Sequence, residues 1–344
     1  MNAVVRRLRR ARNLANKVLV QVQNDYLRWT RVLGRPFQLT LEPGNVCNLK
    51  CPLCATTHRE SKIPKGRLHV EEARRIMDAF PYTVQLVLSN WGEPFMNPDL
   101  FDIIVEAKKR DMKVRMESNM TLFDDEKAKR LVDSGLDLLV VALDGASQET
   151  YEKYRVGGDF QTIIDNIGRI RAAQQAAGNF KTKLLWKMVI NRHNEHELEK
   201  ARAWAAELGM DFETVTIWAP EGEEKEWLPD SALDHHGRRN EGGQPEKCHN
   251  LWQTVSVNFN GDVFPCCSEF TPEDKVVNVL ESPFGPVWNS AEYRERRAQN
   301  KGPVDCTRCH KDKDTNWYRT WMKNGGDSGA WEADGAEGAG GKAS

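Results

Sequence analysis

The regular alternation of strand-like and helix-like segments is the feature of this sequence that most restricts its fold. Six short apolar runs rich in β-formers lie at Phe37–Leu41, Thr83–Leu88, Lys113–Glu117, Leu136–Leu143, Lys183–Ile190 and Thr214–Trp218. Segments with helical periodicity separate them, as at Val70–Phe80, Pro98–Arg110 and Asp124–Ser134. Alternating β and α units require a parallel sheet. Six units predict an α/β fold of the open, partial (β/α)6 TIM-type barrel rather than a closed eight-stranded one.

The ends of two helices can be predicted from single residues. Asn97 precedes Pro98 and is expected to cap the helix that follows, since proline is favoured at the first helical position. Gly135 follows Ser134 and is expected to stop the helix before it. The chain then divides into a basic amphipathic helical segment (1–36), the barrel (37–220), a charged linker (221–246), a small cysteine-bearing domain (247–321) and a disordered tail (322–344).

Composition and charge exclude several classes of protein. The chain has 344 residues, of which 40% are hydrophobic and 29% charged, and its net charge is −1. Such a chain can bury a large core, and its overall charge does not favour nucleic acid. No stretch of the sequence is long and apolar enough for a membrane span, and residues 1–36 lack the apolar segment of a signal peptide. We expect a cytoplasmic protein that binds no nucleic acid.

Three of the eight cysteines lie close together, at Cys47, Cys51 and Cys54. A reducing cytosol disfavours a disulfide framework, so cysteines at such spacings indicate metal ligands. Three thiolates on a loop after a strand can hold three irons of a cubane 4Fe-4S cluster and leave the fourth iron open to a substrate or cofactor. Zinc is the alternative on spacing alone, with His58 as the fourth ligand.

Polar motifs follow the next three predicted strands. They are Ser89–Pro94, Ser118-Asn119 and Asp144-Gly145. Taken singly, Gly-Glu-Pro and Asp-Gly are typical of turns and Ser-Asn of a helix cap. Because the carboxyl ends of barrel strands share one mouth, the three motifs and the cysteine loop are expected to meet there. Their joint placement indicates a shared site.

The cysteine triplet after the first strand and the Gly-Glu-Pro turn after the second resemble the radical S-adenosylmethionine superfamily. The resemblance spans residues from about 37 to 320 and implies that Cys47, Cys51 and Cys54 hold the cluster. It implies that S-adenosylmethionine binds the open iron and is cleaved by one electron to a 5′-deoxyadenosyl radical, which abstracts hydrogen from the substrate. A flavodoxin- or ferredoxin-type partner would supply that electron.

The resemblance also implies which residues bind S-adenosylmethionine. Gly92, Glu93 and Pro94 match the family's GGEP turn, which receives the methionine amino group, although Trp91 replaces the first glycine. Glu93 is the implied contact. The substitution at Trp91 leaves the backbone path of this turn open.

Five further contacts follow from the same resemblance. Ser118 and Asn119 match the polar pair that bonds the ribose, and Leu53 occupies the position that touches adenine. Asp144 lies in the sequence ALDG, where the family has SLDG, so one serine hydroxyl that could bind the methionine carboxylate is missing. Arg155 is expected to compensate.

A second set of cysteines lies near the C-terminus. Cys248 and Cys266 flank a predicted hairpin with its turn at Gly261-Asp262, and Cys306 and Cys309 follow in a C-x2-C pair. Four ligands suffice for one complete metal site. A zinc ribbon is the alternative, although it would use two such pairs. The pattern resembles the SPASM module in its shortened form, twitch, which implies an auxiliary 4Fe-4S cluster that transfers electrons.

The substrate is predicted only as a class. Peptide-modifying relatives often carry a leader-binding domain and cysteines for two auxiliary clusters, and neither pattern is present, which favours a small molecule. The resemblance then implies a radical oxidoreductase that oxidises a sugar or cyclitol alcohol. Alternatives are a redox-neutral carbohydrate epimerase, with Cys267 as the hydrogen-atom donor, a peptide-modifying enzyme, and a non-catalytic iron-sulfur or zinc scaffold.

Residues 1–36 form a basic segment with an apolar stripe. They contain nine arginines or lysines and one acid. Its apolar residues include Val4, Leu8, Leu14, Val18 and Val22. Such a helix can lie on an anionic membrane, bind a partner or pack against its own barrel.

Overall fold

One nine-stranded sheet positions the other elements of the molecule. The structure is a computed structural model that describes residues 3–27, 29–58, 64–219, 222–233, 250–265 and 272–299. The strands of this sheet are β1 (Gln38–Leu41), β2 (Gln85–Leu88), β3 (Lys113–Ser118), β4 (Leu138–Ala142), β5 (Lys183–Ile190), β6 (Asp211–Thr216), β7 (Thr254–Val257), β8 (Asp262–Phe264) and β9 (Val277–Asn278). Their spatial order is β6-β5-β4-β3-β2-β1-β7-β8-β9.

The first six strands form the predicted barrel. From β1 through β6, each strand pairs in parallel with the next one in sequence, as alternating β/α units require. On its other edge β1 pairs with β7 rather than with β6, so the described sheet stays open. The partial (β/α)6 barrel expected from the sequence is confirmed.

The structure also describes eleven α-helices that connect or flank these strands. They are α1 (Ala3–Val22), α2 (Ala55–His58), α3 (Val70–Ala79), α4 (Leu100–Lys109), α5 (Asp125–Ser134), α6 (Gln148–Tyr154), α7 (Phe160–Ala177), α8 (Leu198–Glu207), α9 (Glu224–Trp227), α10 (Asn250–Gln253) and α11 (Ala291–Gln299). Every residue of β1, β2 and β4 is buried. The sheet is therefore covered on both faces, as parallel sheets require.

One predicted helix start is wrong. The sequence predicts Asn97 as the cap of α4, whereas the structure places Asp99 there. The Asn97 amide instead donates to the carbonyls of Pro43 at 2.7 Å and Leu68 at 2.8 Å, and its oxygen accepts from the Asp99 N–H at 2.8 Å. The Asn97 side chain therefore bonds the loop after β1 and the segment before α3 instead of capping α4. The stop at Gly135 is confirmed, with the left-handed φ of 77° that favours glycine.

The C-terminal hairpin extends the barrel sheet. β7 and β8 pair antiparallel, and Gly261 adopts a φ of 88° in the turn between them. The predicted hairpin is thus confirmed. β7 also pairs in parallel with β1, with Val255 opposite Leu39. The hairpin assigned to the small second domain therefore continues the sheet of the barrel.

Part of the predicted linker is folded. α9 lies within it, and its Trp227 is buried with its ring edge-on to Tyr154, 5.6 Å between centroids. The rest of the linker and the tail lie outside the described residues, as do Cys248, Cys266, Cys267, Cys306 and Cys309. None of the helices that the structure describes is long and apolar enough to cross a membrane.

Candidate active site

The loop after β1 carries three cysteines at the mouth of the barrel. Cys51 is buried, and Cys47 and Cys54 are half-buried. The Cys54 N–H donates to the Cys51 carbonyl at 3.1 Å, which closes a turn between them. The Val46 carbonyl accepts a 2.9 Å hydrogen bond from the Glu93 N–H. The structure therefore brings all three thiols onto one loop beside the Gly-Glu-Pro turn.

Two side-chain donors face the sulfur atoms of this loop. Asn119 Nδ2 lies 3.8 Å from Cys47 Sγ, and Arg155 Nη1 lies 3.9 Å from Cys51 Sγ. Burial raises the pKa of the Cys47 thiol and raises the pKa of Cys51 to about 11. Burial therefore favours the protonated thiol at both positions, and a bound metal must displace that proton. Three thiols with N–H groups aimed at sulfur fit a cubane iron-sulfur cluster.

Glu93 joins the turn after β2 to the end of β3. Its buried carboxylate caps a short 3-10 helix, Pro94–Met96, by accepting from the Phe95 N–H at 3.1 Å. The Ser118 hydroxyl donates to it at 2.7 Å and the Asn119 N–H at 2.9 Å. Burial raises the pKa of Glu93, while these donors favour the ionised form. A carboxylate accepts about four hydrogen bonds, so room remains for an ammonium group.

A close approach of two backbones explains Gly92. A Cβ at this position would lie 2.0 Å from the carbonyl oxygen of Gly44 and 2.9 Å from that of Val46. The Thr56 hydroxyl also donates to the carbonyl of Trp91. The turn after β2 thus packs directly on the cysteine loop, and the side chain of Trp91 in place of the family's first glycine leaves this contact intact.

A buried ion pair lies between the end of β4 and the cysteine loop. Arg155 Nε donates to the Asp144 carboxylate at 2.6 Å, and the other Asp144 oxygen accepts from the Val189 N–H at 2.7 Å. Burial disfavours the charged form of Arg155, but Asp144 outweighs that effect and raises the pKa of Arg155. Since Arg155 also reaches Cys51, its guanidinium lies beside the position expected for the cluster.

Leu53 lies at the edge of a small apolar cluster beyond the end of β6. The other members are Tyr154, Val189, Ile217, Ala219, Trp227, Leu228 and Leu233. This cluster is separate from the main core of the barrel. The predicted adenine contact therefore borders an apolar surface, which suits a planar ring.

Four charged side chains inside the barrel were not anticipated from the sequence. Arg115 and Glu117 belong to β3, Lys187 to β5 and Glu213 to β6. Lys187 Nζ reaches Glu117 at 2.8 Å, and Arg115 Nη2 lies 3.5 Å from Glu117. Strands of a parallel barrel are buried on both faces, so charges within them are unusual. The alternation Arg-x-Glu within β3 is the signal that could have revealed this set.

Glu213 lies opposite Lys187 in the register of β5 and β6. It is 8% exposed, and neither of its carboxylate oxygens has a hydrogen-bond partner among the described residues. Burial raises the pKa of Glu213 to about 8, against the attraction of Arg115 and Lys187. Burial also opposes ionisation of Glu117, yet Lys187 and Arg115 outweigh it and lower the pKa of Glu117. The lumen thus holds one ionised carboxylate and one that exchanges a proton near neutral pH.

In the described part of the chain, no group of three or more His, Cys, Asp or Glu side chains is arranged to hold a metal ion. A cubane cluster does not need such convergence, because each thiolate binds a different iron. The side chain of His58, the fourth ligand in the zinc alternative, lies outside the described residues. The seven cysteine ligands therefore stay predictions.

Two protein families match the sequence. Residues 41–205 match the Radical SAM superfamily, and residues 248–310 match SPASM, an iron-sulfur cluster-binding domain. The two matches correspond to the barrel and to the second cysteine set.

Several curated proteins and solved structures are similar to this chain. The chain is 26% identical over 313 residues to the AdoMet-dependent heme synthase of Methanosarcina barkeri (strain Fusaro / DSM 804), across 78% of this chain and 86% of that protein. It is 23% identical over 319 residues to the PqqA peptide cyclase of Gluconobacter oxydans (strain 621H), across 82% and 84%. The crystal structure of Streptococcus suis SuiB bound to S-adenosylmethionine superposes with a TM-score of 0.61 at 16% identity, across 80% and 71%. At that identity the likeness to SuiB concerns the fold alone.

Proposed function

Because the chain belongs to the radical S-adenosylmethionine superfamily and carries a SPASM domain, we propose that it oxidises a small hydroxylated substrate, a sugar or cyclitol alcohol. Its cofactors are S-adenosylmethionine and 4Fe-4S clusters. When bound, they supply a 5′-deoxyadenosyl radical that removes one hydrogen atom from the substrate. The alcohol must then lose one proton and one electron, and the electron is assigned to the auxiliary cluster.

The polar lumen is the observation that carries this proposal. The four charged side chains within the barrel offer several hydrogen-bond donors and acceptors on one inner face, which suits a ligand rich in hydroxyl groups. Between β3 and β5, β4 contributes the short apolar side chains Val140 and Ala142, over which Lys187 reaches Glu117. The relatives include a heme synthase and a peptide cyclase, so they do not agree on a substrate.

Glu213 is assigned as the general base that accepts the proton of the substrate hydroxyl. Its carboxylate oxygens have no hydrogen-bond partner in the described residues, so an alcohol can bond to one of them. Its pKa of about 8 lies near the working pH, as an efficient general base requires. The ammonium of Lys187, fixed by Glu117, is placed to donate to a second hydroxyl and orient the ring.

The mouth of the barrel is assigned to S-adenosylmethionine. In this proposal Glu93 accepts from the methionine ammonium, and Arg155 binds the methionine carboxylate in place of the missing serine. Ser118 and Asn119 border the ribose, and Leu53 borders the adenine at the apolar cluster. The tight packing of Glu93 and Arg155 around the cysteine loop supports these roles.

The test uses the holoenzyme, purified without oxygen, chemically reduced and supplied with candidate sugars and aminocyclitols in deuterated water. We expect a product two hydrogens lighter than the substrate. Glu213→Gln should still cleave S-adenosylmethionine but should form product about 10²–10⁴-fold more slowly. Asp211→Asn, two residues earlier on the same face of β6, is the matched control and should stay within about threefold of wild type.

Two outcomes contradict the proposal. Deuterium at an inverted carbon, lost in Cys267→Ser, assigns the function to an epimerase. Absence of S-adenosylmethionine cleavage in the iron-loaded protein favours the scaffold alternative. The Cys306→Ala/Cys309→Ala variant distinguishes the roles of the two clusters. It should cleave S-adenosylmethionine but form little oxidised product. An unchanged product yield in that variant would show that the auxiliary cluster does not accept the electron from the substrate.

Peptide modification is a second candidate that a separate observation favours. The peptide cyclase relative aligns over 82% of the chain and 84% of its own length. A candidate precursor peptide offered to the same reduced holoenzyme distinguishes the two. Loss of two hydrogens from the peptide, with the small alcohols unreacted, selects this candidate.

A further inference from the structure

The long N-terminal helix is attached to the barrel through a side made up of polar residues and the fully buried Val20. Asn13, Asn16 and Lys17 are buried. The Asn16 amide donates to the Arg35 carbonyl at 2.9 Å, and its oxygen accepts from the Arg35 N–H at 2.8 Å. Lys17 lies over the Phe37 ring at 5.9 Å. These contacts fix the orientation of α1 on the protein, so only its opposite side faces outward.

The apolar side of α1 is the side that faces outward. Val4 is 60% exposed, Leu8 66%, Val18 52% and Val22 41%, and the intervening Ala11 and Ala15 are exposed as well. The spacing of these six positions, alternately four and three residues, places them on one face of a helix. An ordinary surface helix buries such a stripe. In α1 this stripe is exposed instead.

Exposed apolar surface is concentrated in this one segment. Among the described residues, eleven of the fourteen exposed large hydrophobic side chains belong to residues 4–33. They include Tyr26 at 82% and Trp29 at 50%, which directly follow α1. Single exposed apolar residues need no explanation, but a contiguous set marks a surface that another phase or molecule covers.

The charge of the segment identifies what covers it. Residues 1–36 contain nine basic residues and only Asp25 as an acid. Arg7, Arg12 and Arg31 are exposed, and the side chain of Arg10 is 62% exposed despite its ion pair with Asp111. A second copy packed on the same face would bring these arginines together, which is unfavourable. Apolar side chains flanked by arginines instead match a layer of anionic headgroups over hydrocarbon.

We infer that the outward face of α1, formed by Val4, Leu8, Val18 and Val22 with the neighbouring arginines, binds the surface of a membrane that contains anionic phospholipids. Because the opposite side of α1 is held by the barrel, the helix lies along that surface. The inference does not depend on the substrate of the enzyme.

The position of α1 also determines how the enzyme is oriented. α1 contacts residues that come just before β1, β2 and β3. Arg12 donates to the Pro81 carbonyl at 2.6 Å, Arg9 bonds Asp111 at 2.5 Å, and Asn16 bonds Arg35. These positions lie at the amino ends of the strands, whereas the cysteine loop lies at the carboxyl ends. On a membrane, the mouth of the barrel therefore points away from the lipid.

The test is flotation of the full-length holoenzyme with vesicles. One set contains phosphatidylcholine alone, and the other contains phosphatidylcholine with phosphatidylglycerol. We expect at least about tenfold more protein to float with the anionic vesicles, and less as salt is added. Leu8→Gln/Val18→Gln should reduce that binding at least about tenfold. Phe180→Gln, which removes an exposed apolar side chain outside residues 4–33, should bind as wild type does.

Three results would overturn the inference. They are absence of binding to either vesicle, equal binding to neutral and anionic vesicles, and binding that Leu8→Gln/Val18→Gln leaves unchanged. Analytical ultracentrifugation without lipid tests the second-copy alternative. A wild-type dimer that becomes a monomer in Leu8→Gln/Val18→Gln assigns the face to self-association instead. Cleavage of S-adenosylmethionine should be the same in all three proteins, which verifies that the variants are folded.

Discussion

The hydroxyl of Ser118 at the end of β3 donates a 2.7 Å hydrogen bond to the buried carboxylate of Glu93 in the turn after β2. The side chain of Glu93 therefore holds the turn after β2 against the end of β3. The Asn119 N–H donates to the second oxygen of the same carboxylate at 2.9 Å. Because the turn after β2 also packs on the cysteine loop, these bonds set the geometry of the mouth.

Ser118→Ala should weaken both the fold and the binding of S-adenosylmethionine. The variant loses the hydrogen bond to the buried Glu93 carboxylate and the one that the hydroxyl accepts from the Met120 N–H at 2.9 Å, so the free energy of unfolding should fall by about 1–3 kcal/mol. The dissociation constant for S-adenosylmethionine should rise about tenfold, since Glu93 loses a positioning contact. Ser134→Ala, which removes a buried hydroxyl bonded at 2.7 Å to the Leu131 carbonyl, is the control. Equal changes in affinity for both variants would show that the effect is global.

Gly92→Ala should disrupt the site far more than the size of a methyl group suggests. Its Cβ would lie 2.0 Å from the Gly44 carbonyl oxygen, so the turn and the cysteine loop must separate. We expect cleavage of S-adenosylmethionine to fall at least about 100-fold. Gly168→Ala, within α7 where a Cβ meets nothing within 4 Å, should leave activity unchanged and raise stability by about 0.5–1 kcal/mol. Activity retained in Gly92→Ala would contradict the close packing.

Cys51→Ala should abolish cleavage of S-adenosylmethionine and lower the iron content from about eight to about four atoms per chain. The auxiliary cluster should remain, because its predicted ligands are untouched. Cys267→Ser should keep both clusters and full cleavage, since this cysteine is not an assigned ligand. Chromatography of 5′-deoxyadenosine measures the loss of cleavage, and iron and sulfide analysis of anaerobically purified protein measures the loss of one cluster. A Cys51→Ala protein that still forms 5′-deoxyadenosine would refute the assignment.

Removing only Lys187 from its ion pair with Glu117 should destabilise the fold more than removing both charges. The two side chains are 20% and 27% exposed, so Lys187→Met should lower the free energy of unfolding by about 1–2 kcal/mol. The Lys187→Met/Glu117→Gln double variant should regain part of that loss, because the carboxylate that Lys187 leaves behind is removed as well. The recovery should be incomplete, since Arg115 lies 3.5 Å from Glu117 and loses that contact. Urea unfolding of the four proteins gives the coupling energy. A coupling near zero would mean that the pair contributes little.

Glu213 should make the stability of the protein depend on pH. Burial raises the pKa of Glu213 from 4.5 to about 8, so the folded state binds this proton more tightly than the unfolded state. The resulting stability is complete below about pH 4.5 and is lost as the pH rises through about 8. The midpoint of thermal unfolding should therefore fall less between pH 6 and pH 9 in Glu213→Gln than in wild type. Glu207→Gln, at an exposed site on α8, should keep the wild-type profile.

The order of strands was predictable because each β/α unit is local in sequence. The run Lys183–Ile190 appears in the structure with the expected bounds. The cap of α4 was not predictable, since Asn97 bonds the carbonyls of Pro43 and Leu68, which come from two distant loops. A cap motif has the same sequence whether or not a tertiary partner recruits its side chain.

The site was predictable where each residue sits in a short motif at a strand end. Glu93, Ser118 and Asn119 come together as their positions suggested. The contact between Lys187 and Glu117 was not predictable, because it joins residues seventy positions apart across an intervening strand. That contact depends on the register of β3, β4 and β5, which no local pattern specifies.

The pairing of β1 with β7 has a consequence for the order in which the chain is made. Leu39 finds its partner Val255 only after more than two hundred further residues have left the ribosome. During most of synthesis, the first strand of the barrel therefore has one unsatisfied edge of N–H and C=O groups. Until β7 is made, that edge is open to pairing with a wrong strand, so faster completion of the chain shortens the period of risk.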